Sequence, residues 1–342
     1  APVAEHDRIP ATLDPADLAV VLSHYSLGVI RSMTPIARGA PGAVKYEVDA
    51  ERGRFIVKRR RESREQLDRV AYGHAVQIAI AGAGFPSPKL VGTARHHSSM
   101  VIHGGAIFEV HEWAVGSKYD DSIPKTMGSG SALARLHAVL TGSGVIAPAA
   151  CFPSRADRRK NIVRHLEGIR SAGRGGAASA ERVFFDACAT IDALGVDGWP
   201  LGIVHGDWHP GNLLFDGDWV SAVLDFDNAR PGHRVLDVAM GTAQFSLIGG
   251  AADPRTWPEH ADIKRIEAFL KGYDASAKER LTKAELEAIP PLMVESLVGE
   301  AAGPIATTGR FAAIEGDAFL EMVVRKAQWV LRNASLITAA AR

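Results

Sequence analysis

Apolar positions along this chain repeat with two periods, and the change from one to the other divides it. Up to about Glu112 the pattern is mainly that of strands. Residues 36–48 read as strand, small-residue loop and strand, Glu51-Arg52-Gly53 as a turn, and residues 54–58 as the returning strand. Another strand, residues 106–116, follows a Gly104-Gly105 turn. A helical stretch over residues 64–83 interrupts them, and Asp14-Pro15 opens a short helix reaching about Tyr25. Beyond Ala114 the helical period takes over. Leu133, Leu136, His137 and Leu140 share one face of a helix over residues 129–140. Further helices are expected over residues 156–169, 181–194, 263–273, 283–293 and 318–336, with a Gly- and Ala-rich loop at 171–178. Within this helical part, residues 201–204 read as a short buried strand. Residues 212–215 and 219–224 then form a hairpin about Asp216-Gly217-Asp218, whose Asp-Gly step suits a type I′ turn. The expectation is an α+β chain: an antiparallel-sheet lobe over residues 1–113 and a mostly helical lobe over 114–342.

Composition adds exclusions. The 342 residues suffice for two lobes with cores of their own, and 46% hydrophobic content is that of a globular protein. Lys and Arg number 39 against 39 Asp and Glu, so no charge excess points to nucleic acid or to an anionic membrane. Cys151 and Cys188 stand far apart without a CxxC, which argues against a disulfide framework and a cysteine zinc site. No apolar run reaches the length of a membrane span, and the first residues lack a signal-peptide core, so a cytoplasmic protein is expected. No internal repeat is visible, and oligomeric state leaves no mark.

Candidate chemistry concentrates in His205-Gly206-Asp207-Trp208-His209-Pro210-Gly211-Asn212 and in Leu224-Asp225-Phe226-Asp227. Gly206 and Pro210-Gly211 force a tight loop after the 201–204 strand, and the hairpin returns Asp225 to the end where Asn212 begins. Phosphoryl transfer needs an acceptor that orients a hydroxyl and takes its proton, and oxygen ligands that fix Mg²⁺ against a triphosphate. Asp207 suits the first role, Asn212 and Asp225 the second. The protein-kinase loop HRDxxxxN has the same Asp-to-Asn interval, and its Asp-Phe-Gly metal segment corresponds here to Asp-Phe-Asp.

With HGDxHxxN followed by Asp-Phe, the chain resembles the aminoglycoside phosphotransferase and choline kinase superfamily, most specifically over residues 203–239. The resemblance implies a two-lobed, protein-kinase-like fold, ATP and Mg²⁺ as cofactors, and a small-molecule hydroxyl as acceptor, such as an amine, amino sugar, amino alcohol or aminoglycoside. Strand periodicity sets Ile56 and Lys58 on one face, an apolar roof for adenine beside a cation for the phosphates. The loop from Gly39 to Gly42 offers backbone N–H groups to phosphate, and Glu112, Trp113 and Ala114 occupy the adenine-binding hinge that the resemblance implies. One departure stands out. The helical glutamate that pairs with the strand lysine in the family falls at Gly73, leaving Glu62 and Glu65 as nearby substitutes.

Blander roles compete at several positions. His205 is expected to brace its loop; His209 divides between substrate, phosphate and loop contact. Asp227 is expected to hold its own loop through backbone N–H groups, with metal or substrate contact as the alternative, and Asp237 to cap the next helix. Glu295 and Glu300 could attract a cationic acceptor, while His96, His97, His103 and His111 lack a metal-ligand spacing. Two other readings are a kinase-like nucleotide sensor or scaffold, motivated by Gly73, and a hydrolytic metal centre built on His205, Asp207, His209, Asp225 and His233.

Overall fold

The computed structural model describes residues 14–36, 44–61, 63–148, 151–250 and 252–340. Gly39, Gly42 and Glu62, and the side chain of Glu65, lie outside the described residues. Two compact units separate: residues 1–116 with 145–151 and 222–227, and residues 117–144 with 152–221 and 228–342.

The first unit is built on an antiparallel sheet. Helix α1 (Pro15–Ser23) is capped by the Asp14 carboxylate and precedes β1 (Ile30–Ile36), β2 (Val44–Ala50) and β3 (Gly53–Arg61). Helix α2 (Arg64–Gly82), capped by Ser63, leads to β4 (Val101–His103) and β5 (Ala106–Glu112). The strand order is β1-β2-β3-β5-β4. Alternation gives this sheet two unlike faces. Tyr46, Val48, Phe55, Val57, Phe108 and Val110 face a core shared with Leu18, Val21 and Leu22 of α1. The residues between them, Lys58, Arg60 and Glu109, are also buried and belong to the opposite face. Register places Lys58 directly across from Glu109 on β5.

In the second unit, α3 (Ile123–Leu140), α4 (Arg155–Ser171) and α5 (Ala177–Ala193) precede β6 (Gly202–Val204). The hairpin β7 (Leu213–Asp216) and β8 (Trp219–Val223) follows, then β9 (Arg230–Gly232), which pairs with β6. Helices α6 (Arg234–Phe245), α7 (Ile263–Ser276), α8 (Lys283–Thr308) and α9 (Gly316–Arg332) complete it. Two expectations are corrected. Gly217 takes φ +56° but Asp218 is not among the positive-φ residues, so the hairpin turn is not the type I′ that its Asp-Gly step suggested. Helix α8 runs through Pro290, Pro291 and Pro304 to Thr308, well past residue 293. A capping box between Thr282 and Glu285 starts it, and burial of Ile289, Leu292, Val294, Val298 and Ile305 outweighs the proline penalty.

Candidate active site

Lys58 lies 5% exposed among carboxylates. Its Nζ donates to Asp225 Oδ1 at 3.0 Å and to Asp227 Oδ2 at 2.5 Å, and Glu109 Oε1 is 3.9 Å away. Lys45 Nζ reaches Asp225 Oδ2 at 3.4 Å. Burial raises the cost of the Asp225 charge, yet Lys58 and Lys45 hold its carboxyl well below the usual carboxylate range. Asp225 itself sits at φ +60°, a left-handed conformation that Asp tolerates better than most residues but at some strain. Asp227 binds the side chains of Lys58 and Arg60, including Arg60 Nη2 to Oδ1 at 2.6 Å, which corrects the backbone-bracing role expected of it.

The acid missing from α2 is replaced from the sheet. Glu109, 1% exposed, accepts from Arg60 Nη2 at 2.5 Å and is bonded to His74 Nε2 at 2.7 Å, with His111 Nε2 at 3.3 Å. Burial opposes its ionisation, but the His111 and His74 hydrogen bonds and the Arg60 charge keep it well below its ordinary value. Gly73 has little room for the expected side chain: a Cβ there would lie 3.1 Å from the Phe226 carbonyl oxygen. The helix thus lies against the Asp225-Phe226-Asp227 segment, and the carboxylate beside Lys58 comes from the facing strand. Sequence reasoning missed Glu109, whose one signal was its placement across the Arg54–Lys58 strand, readable only once the register is known.

In the second unit the loop after β6 is built around Asp237. Its carboxylate accepts from the backbone N–H of His205 at 2.6 Å and of Gly206 at 2.8 Å, and His137 Nε2 stands 3.1 Å away. Asp237 lies in the first turn of α6, whose N-cap is His233, so the helix-capping role expected of it gives way to anchoring this loop. Gly206 takes φ +76°, and a Cβ there would collide with Arg230 Nη1 and the Asn228 carbonyl. His205, fully buried, accepts the Asp207 N–H on Nδ1 at 3.2 Å, the bracing role expected of it.

Asp207 emerges from this frame with its side chain 32% exposed. Asn212 Nδ2 donates to the Asp207 carbonyl at 3.0 Å and to its Oδ2 at 3.1 Å. His209 Nε2 lies 3.7 Å from Oδ2, while its Nδ1 accepts the Gly211 N–H and fixes the turn. Burial disfavours the Asp207 charge, but the hydrogen bond and charge of His209, the charge of His205 and the Asn212 amide together lower its pKa. An ionised carboxylate held in place and partly exposed is suited to accept a proton from a hydroxyl.

Beneath this loop lies a cavity of about 320 Å³ lined by Asp237, Met240, Arg158, Arg230, Glu295 and Glu300 among others. Met240 Sδ accepts the Trp208 N–H, tying the cavity wall to the loop. Glu300 accepts from Gln244 Nε2 and from Ser296 Oγ at 3.2 Å; burial and the Asp207 charge push its carboxyl up to about 7. Glu295 instead pairs with Arg155 and Arg159, at 3.3 and 2.9 Å. At the hinge candidates, the Glu112 N–H donates to Lys89 O and the Trp113 N–H to Arg54 O, both at 2.9 Å, while the Arg54 guanidinium stacks 4.1 Å over the Trp113 ring. Two of the three main-chain donors proposed for adenine are therefore engaged within the protein. Ile56 is half-buried on β3. Among the described residues no group of three or more His, Cys, Asp or Glu is arranged to hold a metal ion. No helix among them is long and apolar enough to cross a membrane.

Residues 32–284 match the profile of the phosphotransferase enzyme family. Over 282 residues, 81% of each chain, the sequence is 28% identical to a homoserine kinase of Methylocella silvestris. The fold is similar to that of a microcompartment-associated aminopropanol kinase, with a TM-score of 0.67 at 16% identity over 95% of this chain and 98% of that one. It is also similar to an amicoumacin kinase in complex with AMP-PNP, Ca²⁺ and its ligand, with a TM-score of 0.65 at 16% identity over 96% and 94% of the two chains. The protein-kinase-like α+β fold implied by the sequence is thereby established.

Proposed function

Because the chain belongs to the phosphotransferase enzyme family, we propose that it moves the γ-phosphoryl group of ATP, with Mg²⁺, to a hydroxyl on a small metabolite. Residues 1–113 would serve the nucleotide and residues 114–342 the acceptor and the catalytic loop. Asp207 orients the acceptor hydroxyl and takes its proton as that oxygen bonds to the γ-phosphorus; the bond from phosphorus to the β,γ-bridging oxygen breaks and ADP leaves. Lys58, opposite Glu109, supplies a cation to the α- and β-phosphates, with Ile56 against adenine, the loop of Gly39 and Gly42 near the phosphates and the chain at Glu112, Trp113 and Ala114 as hinge. His209, Asp227 and Glu295 are secondary candidates for substrate contact; the pairing of Glu295 with two arginines makes it the weakest of them.

Asp225 and Asn212 are the residues that would hold Mg²⁺. Asp225 is ionised, and Asn212 turns its amide nitrogen to Asp207, leaving the amide oxygen as a hard neutral ligand. Two protein oxygens with phosphate oxygens and water are a usual magnesium shell. The ion would neutralise charge on the phosphates as the bond breaks.

The observation that carries this reading is an ionised Asp207 held by the amide of Asn212, five residues on. The amicoumacin kinase, with AMP-PNP and Ca²⁺ bound, supports nucleotide and divalent metal as ligands of the fold. Glu109 beside Lys58 removes the motive for a sensor or scaffold, which was a lysine without a partner. The test is ATP consumption against a panel of amines, amino alcohols, amino acids, amino sugars and aminoglycosides, with Asp225→Ala as the blank. Asp207→Ala should lose roughly 10²-fold or more in turnover while ATP binding persists. Turnover like that of the wild type in this variant would remove Asp207 from the mechanism.

A further inference from the structure

The cavity under the catalytic loop has charges of both signs, and they are separated. Arg158 and Arg230 line it together with Glu300. Arg230 is held in place, its Nη1 donating to the Gly206 carbonyl at 3.4 Å and to the Asn228 carbonyl at 3.0 Å. Arg158 donates from Nη1 to the Pro153 carbonyl at 2.7 Å, and no carboxylate lies within ion-pair distance of it among the described residues. Glu295 answers Arg155 and Arg159 instead. Glu300 has neutral partners only, Gln244 and Ser296, and no cation within ion-pair distance among the described residues. Arg158 and Glu300 share one cavity without pairing and are each left to a partner from outside, since a desolvated charge without a counter-charge is costly.

We propose that this cavity binds a zwitterion, with Arg158 receiving a carboxylate and Glu300 an ammonium, so that the phosphoryl acceptor is a short hydroxylated amino acid. The assignment rests on the phosphotransferase reading of Asp207. The electrostatics agree with it. Burial and the Arg230 charge push Arg158 down to about 10 despite the opposing charges of Glu295 and Asp197. Burial and Asp207 push Glu300 up to about 7, the direction of a carboxylate lacking a cation. Size agrees as well: about 320 Å³ is at the small end for ligand pockets. The wall of the cavity is Asp237 and Met240, the same residues that hold the backbone of His205, Gly206 and Trp208. An amino acid seated there would present its side-chain hydroxyl toward Asp207. Transfer would yield its phosphate monoester and ADP, with the hydroxyl proton on Asp207.

Three probes that share a terminal hydroxyl separate the two ends: L-homoserine, aminopropanol, which lacks the carboxylate, and γ-hydroxybutyrate, which lacks the ammonium. With the full-length chain, kcat/KM should favour homoserine over each of the others by roughly tenfold or more, the scale of one charged hydrogen bond. Arg158→Gln should cut kcat/KM for homoserine by about 10- to 100-fold, mainly through KM, and shrink its advantage over aminopropanol. Glu300→Gln should shrink the advantage over γ-hydroxybutyrate, and Arg158→Lys should restore part of what Arg158→Gln loses. Equal turnover of aminopropanol and homoserine, with Arg158→Gln silent, overturns the zwitterion site and leaves the kinase reading standing. Calorimetric binding of homoserine that depends on Arg158, with no turnover of any acceptor, upholds the site and overturns the kinase reading. Neither turnover nor binding of homoserine overturns the site.

Discussion

Lys58 sits where strand register places a buried carboxylate, Glu109, directly across from it. Glu109 pairs with Arg60 and is bonded to His74, with His111 and Lys58 within ion-pair range, all of them buried or nearly so. Removing it leaves Arg60 with Asp227 and takes the buried carboxylate from His74, whereas a helical glutamate at Gly73 would be crowded by the Phe226 carbonyl. Glu109→Ala should lower the unfolding free energy by about 3–5 kcal/mol, the cost of breaking a buried pair from one side. Urea denaturation measures it, and a change under about 1 kcal/mol would show that the network does not depend on this residue. Glu300 gives a pH signature. Its carboxyl is raised from 4.5 to about 7 in the folded chain, so folding favours its protonated form. Its contribution is therefore full below about pH 4.5 and lost as pH rises through about 7. Thermal melts of wild type and Glu300→Gln should diverge across that window, with the variant the more stable at its upper end. Parallel curves would mean that Glu300 titrates normally.

At the scale of elements, the catalytic loop is a short irregular segment tied down by α6 and β9. Asp237 holds two consecutive N–H groups, and Gly206 passes under Arg230 with a left-handed backbone. Asp237→Asn replaces an acceptor of two N–H groups and a histidine with an amide that carries its own N–H, and should cost roughly 2–5 kcal/mol. Turnover should fall with nucleotide affinity retained, because Asp237 acts through the loop; loss of nucleotide affinity in step with turnover would contradict that. Gly206→Ala should lower both Tm and turnover, since φ +76° and the space under Arg230 each exclude a Cβ. The end of α8 is the element least visible in advance. Pro290, Pro291 and Pro304 read as breaks to any local rule, yet the helix continues because its buried side chains pack against α4, α5, α6 and α9.

For the whole molecule, nucleotide linkage is the accessible measurement. A ligand at a hundred times its Kd stabilises the folded state by about 2.7 kcal/mol, so ATP with Mg²⁺ should raise Tm. The magnesium-dependent part of that rise should vanish in Asp225→Ala; its persistence would move the ion away from Asp225. A net charge of zero sets no preference for polyanions, and the charges that matter are local: cations around Asp225 and Asp227, and separated opposite charges in the cavity.

Local pattern alone decided the strand-rich first part, the helical second part, and the Asp207, Asn212 and Asp225 spacing, because each depends on residues a few positions apart whose backbone preferences and side-chain period are short-range. The same applies to His205, which braces a residue two positions away. Tertiary structure alone decided that Glu109 stands beside Lys58, that Asp237 anchors the loop at His205 and Gly206, that Asp227 binds side chains, and that Arg158 and Glu300 share a cavity. Those partners are far apart along the chain, and register, helix contacts and burial bring them together. A carboxylate has no fixed role until the cations and N–H groups around it are known.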